Sequence, residues 1–199
     1  KAILLVTRSR LESSFSVRFR TCARVLKLTP LLPPTCVFEE LPGTLEIYRN
    51  VVDTRESLLS MIAGTDDRLL CVVTMPASCT DPDVLLKVAH QAAEFAASVS
   101  DDLIVVFQPA SGAYLRGLTT VSTAVPVAGV GSAEINAQIK EAREVLLRIN
   151  ELGLPTALEF GDTITPQFFC DLLAWASVSA QSTTLRELVR ARRPVHLLV

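Results

Sequence analysis

Residues 75–82, MPASCTDP, follow the apolar run LLCVVT and have the form of an active-site lip: a buried strand, a short polar loop, then a helix start. The loop offers a hydroxyl at Ser78, a thiol at Cys79 and a carboxylate at Asp81. Neither Ser78 nor Ser111 nor Ser122 lies in G-x-S-x-G, and no histidine is spaced to serve one of them, so serine nucleophilic catalysis is not supported. The histidines are His90 and His196. His90 falls within a helical stretch and is expected to be exposed rather than a general base. Asp81, immediately before Pro82, reads as a helix N-cap, and Asp66 and Asp67 read as turn residues. The five cysteines form no C-x-x-C and have no histidine at zinc-finger spacing, which predicts idle thiols in a reducing compartment, here the cytoplasm.

The elements that position these residues alternate. RLLCVVT (68–74), DLIVVFQ (102–108) and PTALEF (155–160) read as strands, with SVSAQ a short fourth and PVHLLV a fifth. Helices are predicted over 54–64 with Thr54 as cap, 81–99, 132–153 ending at Gly153, 165–176 started by Thr165 and Pro166, and 184–192. The strands are continuous apolar runs, so both faces of the sheet are covered, as in parallel βαβ units. No strand is followed by GxGxxG or GxxxxGK[ST], which removes the nucleotide-phosphate cradles.

Residues 1–53 read as an N-terminal arm and 54–199 as the α/β domain. The arm holds Arg8, Arg10, Arg18, Arg20, Arg24 and Lys27, read as a solvated or partner-facing patch. Its prolines, in LTPLLPPTCVFEELPG, argue against regular helix there. Net charge is −2, which gives no nucleic-acid footprint. Hydrophobic residues make up 49% of the chain, yet no apolar run approaches the roughly 18 residues of a membrane helix. The apolar surplus is therefore expected in a core or against a partner.

The order LLPP, GTDDRLLCVV, MPASCTDP, LIVVF, LLRINELGLPTALEFGDTITPQFFCDLLAWASVSAQSTT and RELVRARRPV resembles type I DAHP synthase, the 3-deoxy-7-phosphoheptulonate synthase of the shikimate pathway. The likeness runs from about residue 30 onward and is most specific from Asn150 to Trp175. It implies a (β/α)₈ barrel with an N-terminal extension, and a metal-dependent condensation of phosphoenolpyruvate with erythrose 4-phosphate. The family's metal-binding cysteine falls at Ala77, and a nearby family histidine at Thr80. A family lysine falls at Gln108, and family arginines fall at Ala110 and Gln181. Another family lysine falls near Leu198, and the remaining metal ligands belong to strands beyond the residues given. Glu159 matches a pocket carboxylate, and Asp162–Gln167 matches the region tied to feedback inhibition by aromatic amino acids.

The resulting expectation is an α/β chain of about five parallel strands in a partial TIM-barrel-like arrangement. With neutral groups in place of ligands and phosphate-binding cations, the ancestral condensation is expected to be lost, and no metal or cofactor is expected. One role is a self-associating binding or regulatory protein, paired with itself or with a full-length synthase-like partner. Asp162, Pro166, Gln167 and Leu188 would form its effector or partner surface. The other is a recruited metal-free enzyme acting on an apolar metabolite, with a pocket around Ser78, Gln108, Glu159 and Gln181. Nucleic-acid and membrane partners are not expected.

Overall fold

In the computed structural model, the described residues are 31–76, 81–109, 132–160 and 164–178. Strands β1 (Leu69–Thr74), β2 (Leu103–Gln108), β3 (Thr156–Phe160) and β4 (Leu173–Val178) form one parallel sheet in that order. Helices α1 (Pro34–Glu40) and α2 (Leu45–Ile62) precede the sheet, α3 (Pro82–Ser98) joins β1 to β2, α4 (Ser132–Glu151) precedes β3, and α5 (Pro166–Phe169) precedes β4. The sequential strand order is that of a β/α barrel arc, as the resemblance implies. The fifth expected strand and the helix over 184–192 lie outside the described residues.

Side-chain alternation divides the sheet into two faces. On one, Val105, Phe107, Leu158 and Phe160 pack with α3 through Leu85 and Ala89, and with α4 through Ile135, Ile139 and Leu146. On the other, Leu58 of α2 is buried against Ile104, Val106 and Ala157, with Met61, Leu70 and Trp175 beside it. Full burial of one such leucine contributes about 2 kcal/mol. Both faces of β2 and β3 are thus covered, which accounts for their apolar runs, while β1 is only partly buried.

Several elements differ from the sequence reading. Helix α2 begins nine residues before Thr54, where the Thr44 hydroxyl accepts from the Ile47 amide at 3.3 Å. Thr54 is internal and donates back to the Asn50 carbonyl at 2.7 Å, so residue 53/54 falls inside a helix. The proline-rich stretch does contain a helix: Pro34 sits at the first turn of α1, where a missing N–H costs nothing. The helix expected over 165–176 is only the four residues of α5, and LAWASV is strand β4. A short apolar run satisfies both periods, and here the sheet takes it. Trp175 therefore packs from a strand, on the α2 face. Gly153, with φ of 74°, ends the α4 turn as expected.

Candidate functional site

At the carboxyl ends of the strands one face presents Thr74, Gln108, Glu159 and Ser177. Thr74 is in register with Gln108, and Glu159 with Ser177. Alternation places all four on the face that carries Leu58 lower down. Gln108 and Ser177 are half-buried, while Thr74 and Glu159 are exposed. Glu159 is the one charged side chain in this row of described residues.

The lip between β1 and α3 is anchored at both ends. The Met75 amide donates to the Gln108 carbonyl at 3.1 Å, extending the ladder past β1. Asp81 is the N-cap of α3, its side chain accepting from the Asp83 amide at 2.9 Å. That carboxylate is spent on the helix start.

The structure brings Gln108 and Glu159 to one face at the strand ends. Ser78 and Gln181, as well as Ala77, Thr80 and Ala110, lie outside the described residues. Of the expected effector surface, Pro166 occupies the first turn of α5 and Gln167 is exposed, while Asp162 and Leu188 lie outside the described residues. Thr165 is buried but makes no side-chain cap, its backbone already being helical.

The donor set in this row does not fit a divalent metal. Such ions take several carboxylate, imidazole or thiolate ligands at one point, and the row supplies a single carboxylate. Cys71 lies on β1 but packs toward the opposite face, and His90 is exposed on α3. No group of three or more His, Cys, Asp or Glu suited to a metal occurs among the described residues. Cys36, Cys71 and Cys170 are free thiols. Burial, then the neighbouring Asp171, pushes the Cys170 thiol above its ordinary value, which keeps it protonated and poorly nucleophilic.

Three polar side chains that the sequence reading passed over organise the packing beneath the row. Arg143 is fully buried on α4. Its Nη1 and Nη2 donate to the two Asp171 carboxylate oxygens at 2.8 and 2.6 Å, Nη1 also to the Phe168 carbonyl at 3.0 Å, and Nε to the Leu41 carbonyl at 2.8 Å. The Phe38 ring lies 4.5 Å below the guanidinium. Arg143 therefore ties α1, α4 and α5 together, and its signal was present: it falls four residues after Ile139 and three before Leu146, on the apolar stripe. Asn150 donates to the Leu146 and Leu172 carbonyls at 2.8 and 3.2 Å and to Thr156 Oγ1 at 3.1 Å, while Thr156 donates to Leu172 at 2.8 Å. Arg55 of α2 donates to the Leu173 carbonyl at 2.9 and 2.6 Å and to that of Cys170, and its burial lowers its pKa.

At the opposite pole, Asp66, Asp67, Arg68, Ser100, Asp101 and Asp102 line an open cavity of about 450 Å³. Arg68 is clamped to Asp66, with Nη2 to Oδ2 at 2.6 Å, and this hydrogen bonding holds the carboxyl below the ordinary carboxylate range. In β/α barrels this end serves stability, whereas chemistry sits at the strand carboxyl ends.

Parallel βα units in sequential order, with a row of side chains at the strand carboxyl ends, define an α/β protein of the β/α-barrel type. The comparisons narrow this. The chain is 37% identical over 164 residues to a phospho-2-dehydro-3-deoxyheptonate aldolase of Amycolatopsis methanolica, a match covering 80% of this chain and 78% of that protein. It is 32% identical over 165 residues to the Phe-sensitive enzyme of that name from Escherichia coli K12, covering 80% of this chain and 45% of the enzyme. The structure of the corresponding aldolase from Francisella tularensis SCHU S4 superposes with a TM-score of 0.64 at 25% identity, over 82% of this chain and 47% of that one. No protein-family model matches. The chain belongs to the phospho-2-dehydro-3-deoxyheptonate aldolase family, whose other name is DAHP synthase. It spans less than half the length of several of its relatives. No described helix is long and apolar enough to cross a membrane.

Proposed function

We propose that this chain is a family member that has lost the metal-dependent condensation of phosphoenolpyruvate with erythrose 4-phosphate and acts as a self-associating binding or regulatory protein. The observation that carries the reading is the neutral amide of Gln108 at the end of β2, where the family's lysine is matched. Ala77 at the metal-cysteine position and Ala110 and Gln181 at the arginine positions point the same way. Phosphorylated substrates are held and activated by fixed cations, and removal of one preorganised electrostatic group costs about 10²-fold or more. Loss of the set removes both affinity and rate. The intact scaffold supports retention of binding, with Pro166 and Gln167 as the described part of an effector or partner surface.

Titration calorimetry of the full chain with Mn²⁺ and phosphoenolpyruvate tests the reading. No heat of binding is expected for either. Micromolar binding of phosphoenolpyruvate, or synthase turnover by the purified chain, overturns it.

A further inference from the structure

Helix α2 has two apolar faces. One is the buried stripe of Ile47, Val51, Thr54 and Leu58. The other is exposed: Leu45, Val52 and Leu59 are 64%, 48% and 39% accessible and recur every seven residues. Ile62, at 60%, continues the seam one turn on. A seven-residue repeat drifts by only about 20° per step around a helix, so the three side chains form one line about 21 Å long. Single exposed apolar residues need no explanation, but a line at coiled-coil spacing on a helix already anchored by its other face does.

We infer that this seam is a two-fold contact with α2 of a second copy, the helices running antiparallel with Val52 at the axis. The charges beside the seam select the occupant. Arg49 and Glu56 are exposed on one flank, also seven residues apart, and on either side of Val52. In an antiparallel two-fold pair each flank meets its own copy, as isologous contacts require. Rotation about Val52 brings Glu56 of the second helix to the level of residue 48 of the first, one residue from Arg49. Each arginine thus meets a glutamate, twice. A parallel pair turns this flank to opposite sides of the seam in the two copies, so that Arg49 and Glu56 of one copy do not face those of the other. The same rotation lays Leu45 against Leu59 of the other copy. The seam is complementary to itself in the antiparallel orientation, which is what a second copy needs.

This contact rests on the self-association in the proposed function and is independent of the loss of chemistry. Sedimentation equilibrium of the full chain at tens of micromolar is expected to give twice the 21.6 kDa chain mass. Val52→Glu should give the single-chain mass, with dissociation at least about 100-fold easier and an unchanged far-UV spectrum. Arg49→Glu alone should weaken the pair about 10-fold, and Arg49→Glu with Glu56→Arg should restore it. Oxidised V52C should yield a disulfide between the two copies of position 52, mapped by mass spectrometry. A wild-type monomer would overturn both the contact and the self-association. A dimer untouched by Val52→Glu, or a double charge exchange that fails to rescue, would overturn the contact and leave self-association standing.

Discussion

Arg143, on α4, and Gln108, at the end of β2, are both polar side chains, and their surroundings differ in kind. Arg143 is at 0% exposure with every contact made by a matching group: two carboxylate oxygens, two carbonyls and a ring face. Gln108 stands half-buried in an open row whose only described charge is Glu159. The first region is over-determined, since the ends of α1 and α5 converge on one guanidinium of α4. The second keeps its backbone positions, through the pairing of Thr74 with Gln108 and of Glu159 with Ser177, and its described residues hold a single charge, Glu159. The contrast leads to the expectation that packing below the row does not depend on which side chains fill it.

The sharpest way to break this contrast is to empty the buried region. Arg143→Met should cost about 3–5 kcal/mol in urea unfolding, because Asp171 and two carbonyls lose their donor. Replacing both partners, with Arg143→Met and Asp171→Leu, should recover much of that loss. Asn150→Ala should cost about 1–3 kcal/mol by the same measurement, as Leu172 and Thr156 lose a buried donor. By contrast Gln108→Leu and Glu159→Gln should shift stability by no more than about 0.5 kcal/mol. A loss at Gln108 comparable to that at Arg143 would show that the row is structural and would end the comparison.

The smallest effect lies at the far pole and is read in pH. Asp66 is held below the ordinary carboxylate value of 3.8 by its hydrogen bonds to Arg68. A depressed folded pKa gives stability that is present above the unfolded value and lost as pH falls through the folded one. Asp66→Asn should therefore flatten the acid limb of the unfolding profile below about pH 4 and leave neutral pH little changed. An unchanged acid limb would mean that the clamp does not hold in solution.

Much of the frame was legible. The runs at 68–74, 102–108 and 155–160 gave β1, β2 and β3 to within a residue, because strands of parallel βα units carry unbroken apolar runs, even in β1, which is only partly buried. Asp81–Pro82 and Gly153 marked helix ends by local chemistry that needs no tertiary context. The misses share a cause. LAWASV and the start of α2 are decided by what packs on them: Trp175 by the α2 face, and residues 45–53 by Thr44 and the buried Ile47 and Val51. The candidate row was half legible, since alternation places Gln108 and Glu159 together. Arg143 was missed because arginine in a charged helix reads as solvent-facing until a carboxylate 28 residues away is known to meet it.

The stagger between β2 and β3 carries one more consequence. Six residue pairs join β1 to β2 in register, but the register between β2 and β3 is the single pair Phe107 and Thr156, beside the Phe107 amide's bond to the Pro155 carbonyl at 2.8 Å. The sheet is thus two stiff plates, β1–β2 and β3–β4, joined by a short weld and by α4 lying across both. Pulled along the strands, such a body tears at the weld before either plate unravels.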